Sequence, residues 1–263
     1  MLAWSLVLAL TAGIFQEAPL DGGVKKIDLL LREEEVAFIF LSLSNGEAML
    51  IKNAEGKNIL VNTGGPSTAK ELRGWLNKFR IRSIDTILIT NRDEEYIANL
   101  PWLKEFYRVN NIIAATKYPF QASNEEIKAA TWKEGERYEL TPGLITEVLS
   151  EYRDTLSLSF KYGDFRLLYM ASGEKIVERH LKTIPLKDVN ILKVANFAQG
   201  NLSTSFLKHI DPQAAIIFQK KGAIPNEQLL EELYHLWIET YQMGKVSMVA
   251  VKCDKEHYEI ITF

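Results

Sequence analysis

Phe38–Gly65 reads FIFLSLSNGEAMLIKNAEGKNILVNTGG, three short apolar runs divided by Asn, Gly and Glu. Strands are expected over Val36–Leu41, Ala48–Lys52 and Asn58–Asn62, because runs this short and this apolar between turn formers suit sheet better than helix. A helix over Thr68–Phe79 follows. Leu72, Trp75, Leu76 and Phe79 recur on one face after the Pro66–Ser67–Thr68 start. Phe79–Leu103, FRIRSIDTILITNRDEEYIANLPWL, then brings a strand over Thr86–Thr90 and an abruptly polar loop.

The same alternation continues outward. Further strands are expected over Asn111–Ala115, Leu144–Leu149, Leu156–Tyr162, Phe165–Met170, Val189–Val194, Ala214–Phe218, Lys245–Val251 and Tyr258–Phe263, with a hairpin turn at Tyr162–Gly163–Asp164. Helices are expected over Tyr96–Tyr107, Asn124–Ala130, Glu174–Lys182, Ser203–Ile210 and Asn226–Tyr241. No linker or low-complexity tract interrupts residues 24–263, so the pattern predicts one domain of two sheets with helices outside them.

The ordered motifs resemble the metallo-β-lactamase fold, and within it the ComEC-type competence domains. The matching pieces are the turn Asn45–Gly46–Glu47–Ala48, the corner Asn62–Thr63–Gly64 and the approach strand Ile84–Thr90. Downstream, Leu167–Glu174, Ile191–Val194, Ser203–Leu207 and Asp211–Ile217 follow the family's order. The resemblance implies a four-layer αββα sandwich, two mixed β-sheets flanked by helices, over most of the chain after residue 28. It also implies zinc, held by a His-x-His-x-Asp-His loop, a bridging Asp and a His-His-Gly loop, and hydrolysis by a metal-bound water.

At the matching positions no histidine stands. They are Asn91, Asp93, Glu95 and Tyr96 in the first loop, Glu174 for the bridging Asp, and Asn196–Phe197–Ala198 for His-His-Gly. Asn62 replaces the corner's Asp. A neutral amide is a poor zinc ligand, and a phenol must first lose a proton of pKa about 10. Asp93, Glu95 and Glu174 are left as the donors for a hard cation such as Mg²⁺ or Mn²⁺, against the plainer expectation of solvated loop acids.

The remaining composition offers no second site. The chain has 263 residues, 47% hydrophobic and 25% charged, with a net charge of −3. Those values suit a soluble globular protein and give no general nucleic-acid footprint. The lone Cys253 excludes an intrachain disulfide and a thiolate-rich zinc site. His180, His209, His235 and His257 are scattered without ligand spacing. Ser42, Ser44 and Ser172 lack a nucleophile elbow. Gly64–Gly65–Pro66 is expected to turn the chain more than to cradle an anion, and Trp75, Trp102, Trp132 and Trp237 are expected to pack. Lys25–Lys26, Arg80–Arg82 and Lys220–Lys221 are expected to be ordinary solvated charge.

Met1–Phe15 carries no charged side chain. Residues 1–23 are therefore expected to act as a signal peptide or membrane anchor, which places the protein outside the cytoplasm or on a membrane. The alternative is a buried N-terminal strand or helix in a cytoplasmic protein.

Three functions compete. The first is a catalytically inactive pseudo-hydrolase with a binding, scaffolding or regulatory role, no cofactor, and an unidentified protein partner or membrane-associated complex. The second is a metal-dependent phosphodiesterase or nuclease with a carboxylate-only site. The third is a non-catalytic DNA-uptake module.

Overall fold

The computed structural model describes residues 26–115 and 129–263 in full, and the backbone alone of 120–122 and 125–127. The segment 1–23 lies outside the described residues, and no helix among those described is long and apolar enough to cross a membrane. In chain order the first half contains β1 (Val36–Leu41), β2 (Met49–Asn53), β3 (Asn58–Val61), α1 (Ala69–Lys78), β4 (Ser83–Ile89), α2 (Glu94–Ile97), α3 (Leu100–Phe106), β5 (Arg108–Ala114), β6 (Phe120–Ala122), β7 (Glu125–Ile127) and β8 (Ala130–Thr131). The second contains β9 (Arg137–Thr141), β10 (Leu144–Tyr152), β11 (Thr155–Tyr162), β12 (Phe165–Tyr169), α4 (Lys175–Leu181), β13 (Ile191–Lys193), α5 (Thr204–Ile210), β14 (Ala214–Ile217), α6 (Glu227–His235), β15 (Glu239–Gln242), β16 (Met248–Cys253) and β17 (Tyr258–Thr262).

One sheet runs β17-β16-β1-β2-β3-β4-β5-β8 and the other β15-β14-β13-β12-β11-β10-β9. Both are mixed: β3, β4 and β5 are parallel neighbours, as are β12, β13, β14 and β15, and the hairpins are antiparallel. β6 and β7 form a separate antiparallel pair.

Strand periodicity decides which residue faces which layer. Phe38 and Phe40 of β1 enter the core between the sheets, while Ala37, Ile39 and Leu41 face the layer of α1 and α3. β14 divides likewise, with Ala214 and Ile216 between the sheets and Ala215 and Ile217 under α4, α5 and α6. Because both faces of these strands are covered, their sequences read as continuous apolar runs. Each larger side chain among them (Ile, Leu, Phe) contributes about 1.5–3 kcal/mol relative to exposure. The result is the expected αββα sandwich.

Local chemistry sets the ends of the helices. Ser203 accepts a hydrogen bond from the Phe206 amide and Asn226 from the Leu229 amide, which caps α5 and α6 where the sequence predicted their starts. The Tyr162–Gly163–Asp164 turn joins β11 to β12. Four expectations are corrected. Asn124–Ala130 contains β7 and the start of β8 rather than a helix, although Glu125–Glu126–Ile127–Lys128–Ala129 is a helix-forming composition. Tyr96–Tyr107 is two helices, interrupted at Ala98–Asn99, where Asn99 turns inward to bond Thr63 and Thr68. Asn226–Tyr241 ends early, because Glu239–Gln242 leaves the helix to pair with β14. Trp237, expected to pack, instead stands in the turn after α6 with φ +60° and is 91% exposed.

Candidate functional site

Each loop singled out by sequence leaves the carboxyl end of a strand, and these ends lie side by side. Asn62 follows β3, Asn91 follows β4, Glu174 follows β12 and Asn196 follows β13. Carboxyl ends of parallel strands are where open α/β sheets place their clefts.

Backbone contacts staple three of these loops together. Gly46 has φ +92°, and a Cβ there would stand 2.1 Å from the Glu95 carbonyl oxygen and 2.3 Å from the Gly65 nitrogen. Only glycine fits that approach. The Glu47 amide donates to the Glu95 carbonyl (3.0 Å), Gly64 to Glu47 (2.8 Å) and Thr63 to Tyr96 (2.7 Å). Across the sandwich, the Leu156 amide donates to the Thr90 carbonyl at 2.8 Å.

Beneath the loops lies a polar network closed to solvent. Lys193 Nζ sits 2.5 Å from Glu47 Oε2, and both side chains are fully buried. Lys193 also donates to the Met170 carbonyl (2.9 Å) and lies 4.3 Å over the Tyr169 ring. Tyr169 Oη donates to Glu47 Oε2 at 2.8 Å. Burial pushes the Glu47 carboxyl up and the Lys193 ammonium down, and their contact opposes both shifts. The ionisation of each group therefore depends on the other, since neither can lose its partner without leaving a bare buried charge.

Asn62 completes the network and explains its own identity. Its Nδ2 donates to Tyr169 Oη (3.0 Å) and Thr90 Oγ1 (2.8 Å), while Oδ1 accepts from the Thr90 amide (2.8 Å). The position needs a donor and an acceptor together, and a carboxylate supplies only acceptors. Within this network Glu47 Oε1 is buried without a hydrogen-bond partner among the described residues.

The expected ligand positions do not form a donor set. Glu95 is bound to Lys220 at 2.6 Å. Partial burial works against its charge, yet the Lys220 ammonium holds its carboxyl below the usual value. Burial, with Glu47 and Asp93 nearby, pushes the Tyr96 phenol well above its ordinary value, so it stays protonated. Its ring packs on Phe197 at 5.7 Å. Asn91 accepts from the Asp93 amide at 2.9 Å. Asp93, Glu174 and Asn196 are exposed. Among the described residues no three His, Cys, Asp or Glu side chains are grouped to hold a metal ion, so Asp93, Glu95 and Glu174 do not converge. One orphaned carboxylate oxygen on Glu47 does not amount to a ligand set.

The third loop keeps an unusual backbone. Asn196, Phe197 and Ala198 are consecutively left-handed, with φ of 50°, 55° and 57°. Each non-glycine residue there costs about 1–2 kcal/mol, and such strain persists only where surroundings enforce it. Phe197 and Ala198 are buried by it and Asn196 is turned outward.

Comparison with solved structures supplies the fold's name. Zn(2+)-bound PqqB from Methylobacterium extorquens is similar over 83% of this chain and 99% of its own, with a TM-score of 0.56 and 13% identity. The metallo-β-lactamase fold protein YhfI from Bacillus subtilis is similar over 79% and 95%, at 0.54 and 10%. The chain has the metallo-β-lactamase fold. A diphosphatase from the PhnP family is similar over 87% of this chain and 100% of its own, at 0.50 and 13%. No protein-family model and no curated sequence matches the chain, so the likeness is one of fold alone.

The histidines stay apart. His180 meets the Leu149 carbonyl and Glu134, His209 meets the Ile184 carbonyl, and His257 lies near Asp254. Sequence reasoning missed the Glu47–Lys193 pair. Its signal was a lysine inside the otherwise apolar run Ile191–Val194, which needs a buried partner.

Proposed function

We infer that the chain is a non-catalytic protein of the metallo-β-lactamase fold, a pseudo-hydrolase with a binding, scaffolding or regulatory task. The observation that carries this reading is the fate of Glu95 and Tyr96. At the positions where the ComEC-type resemblance implies metal ligands, one is neutralised by Lys220 and the other is a buried phenol packed against Phe197. The zinc implied by the fold does not fit these residues. Asn91 and Asn196 offer neutral amides, and the three acids are separate. Fold does not imply function, so the hydrolase-like neighbours do not weigh against an inert site.

Assays with nitrocefin and bis(p-nitrophenyl) phosphate, each with added zinc or manganese, test the reading. The expected rate equals that of the metal without protein. Turnover that Asp93→Asn with Glu174→Gln abolishes would overturn it in favour of the carboxylate-only phosphodiesterase. Export or anchoring through residues 1–23 is part of the same proposal, checked by N-terminal sequencing of protein recovered from cell fractions.

A further inference from the structure

The geometry points to a binding site for a small organic anion with a flat apolar body, in the cleft where β14 and β15 end. The inference deepens the reading above, since a binding role needs a place to bind. The cleft encloses about 260 Å³, the scale of a single ring with one substituent rather than a drug-sized ligand. Its apolar wall is built from Phe197, Phe218 and Met243, and its polar rim from Gln219, Lys220 and Lys245.

Three observations converge on this place. First, Phe197 is held in the wall by the left-handed turn, so the strained backbone serves the cleft. Second, the rim is fixed. The Lys221 amide donates to Asn45 Oδ1 (3.1 Å), Gly46 to the Gln219 carbonyl (2.8 Å) and Gly244 to Ser42 Oγ (3.0 Å). Third, the two lysines differ in what they have to offer. Lys220 is engaged with Glu95, whose carboxylate screens it from an incoming anion. Lys245 is exposed and makes no ion pair among the described residues. An anion therefore meets Lys245 first, with the Gln219 and Gln242 side chains beside it and an aromatic surface beneath its body.

Benzoate is the probe, with benzyl alcohol as its uncharged counterpart, titrated into the ¹⁵N-labelled full chain. The expected result is saturable shifts at Phe197, Gln219 and Met243–Val246, with benzyl alcohol weaker. Lys245→Met should weaken benzoate about tenfold, in line with a charge-assisted contact, and Ala223→Trp should fill the cleft and abolish binding while leaving the rest of the spectrum unchanged. The absence of saturable shifts there, or shifts indifferent to both substitutions, would overturn the site. Detection of hydrolysis in the assays above would overturn the non-catalytic reading and leave this titration to judge the cleft by itself.

Discussion

Where β12 begins, Phe165 meets Phe38 at 5.3 Å, with Phe160 a further 6.0 Å neighbour of Phe38, and aromatic packing dominates the space between the sheets. Where β12 ends, Tyr169 meets Glu47, Asn62 and Lys193, and the same space is filled by charge and hydrogen bonds. The two ends obey different energetics. Apolar packing fails gradually, by the volume removed, whereas a buried charge fails when either partner is lost. The polar end lies under the converging loops, where Lys193 and Glu47 form a buried pair that is neutral as a unit.

The comparison breaks first at Lys193. Lys193→Met should cost about 3–5 kcal/mol in chemical denaturation, because Glu47 is left buried and alone. Adding Glu47→Leu should recover much of the loss. Phe38→Ala at the apolar end costs a similar amount through its cavity, but removal of Phe165 as well should deepen the loss. If the Lys193 and Glu47 losses instead simply add, the pair is not a coupled unit. Asn62→Asp sharpens the contrast at lower cost. It removes the donor to Tyr169 and Thr90 and should destabilise by about 1–3 kcal/mol, with no gain in zinc affinity despite restoring the resembled family's residue.

Smaller effects lie at the surface. Trp237→Asn should stabilise by about 0.5 kcal/mol, since an exposed left-handed position suits Asn better than a bulky ring. Glu95 gives a pH signature. Its folded value is lowered, so its contribution is complete above the unfolded carboxyl value of about 4.3 and is lost as pH falls through the folded value. Because Lys220 is 34% exposed, the loss should be only about 0.5 kcal/mol. Lys220→Met should flatten that part of the acid limb.

The sequence disclosed the fold where periodicity and turn chemistry agree. In β1 through β4, strands of a few residues between Asn and Gly leave little freedom, and the caps at Ser203 and Asn226 mark helix starts locally. It failed where pairing across long distances overrides composition. Glu239–Gln242 continues the helical spacing of α6 and becomes a strand only because β14 has an open edge. Arg137–Thr141 carries little apolar signal for a strand, since exposed and half-buried residues alternate along it. At the site, the loss of histidine was legible residue by residue. The replacements' partners were not. That Glu95 finds Lys220, Tyr96 finds Phe197, and Glu47 finds Lys193 follows from loops that meet only after both sheets form.

Metal content tests the central claim most directly. The full chain, purified without chelator or affinity metal, is dialysed against zinc, washed, and assayed for zinc, manganese, iron, magnesium and calcium per chain. The account predicts no stoichiometric metal and no displacement of the Glu95–Lys220 contact. Retention of a full equivalent of zinc or manganese, lost on Glu95→Gln or Asp93→Asn, would contradict it.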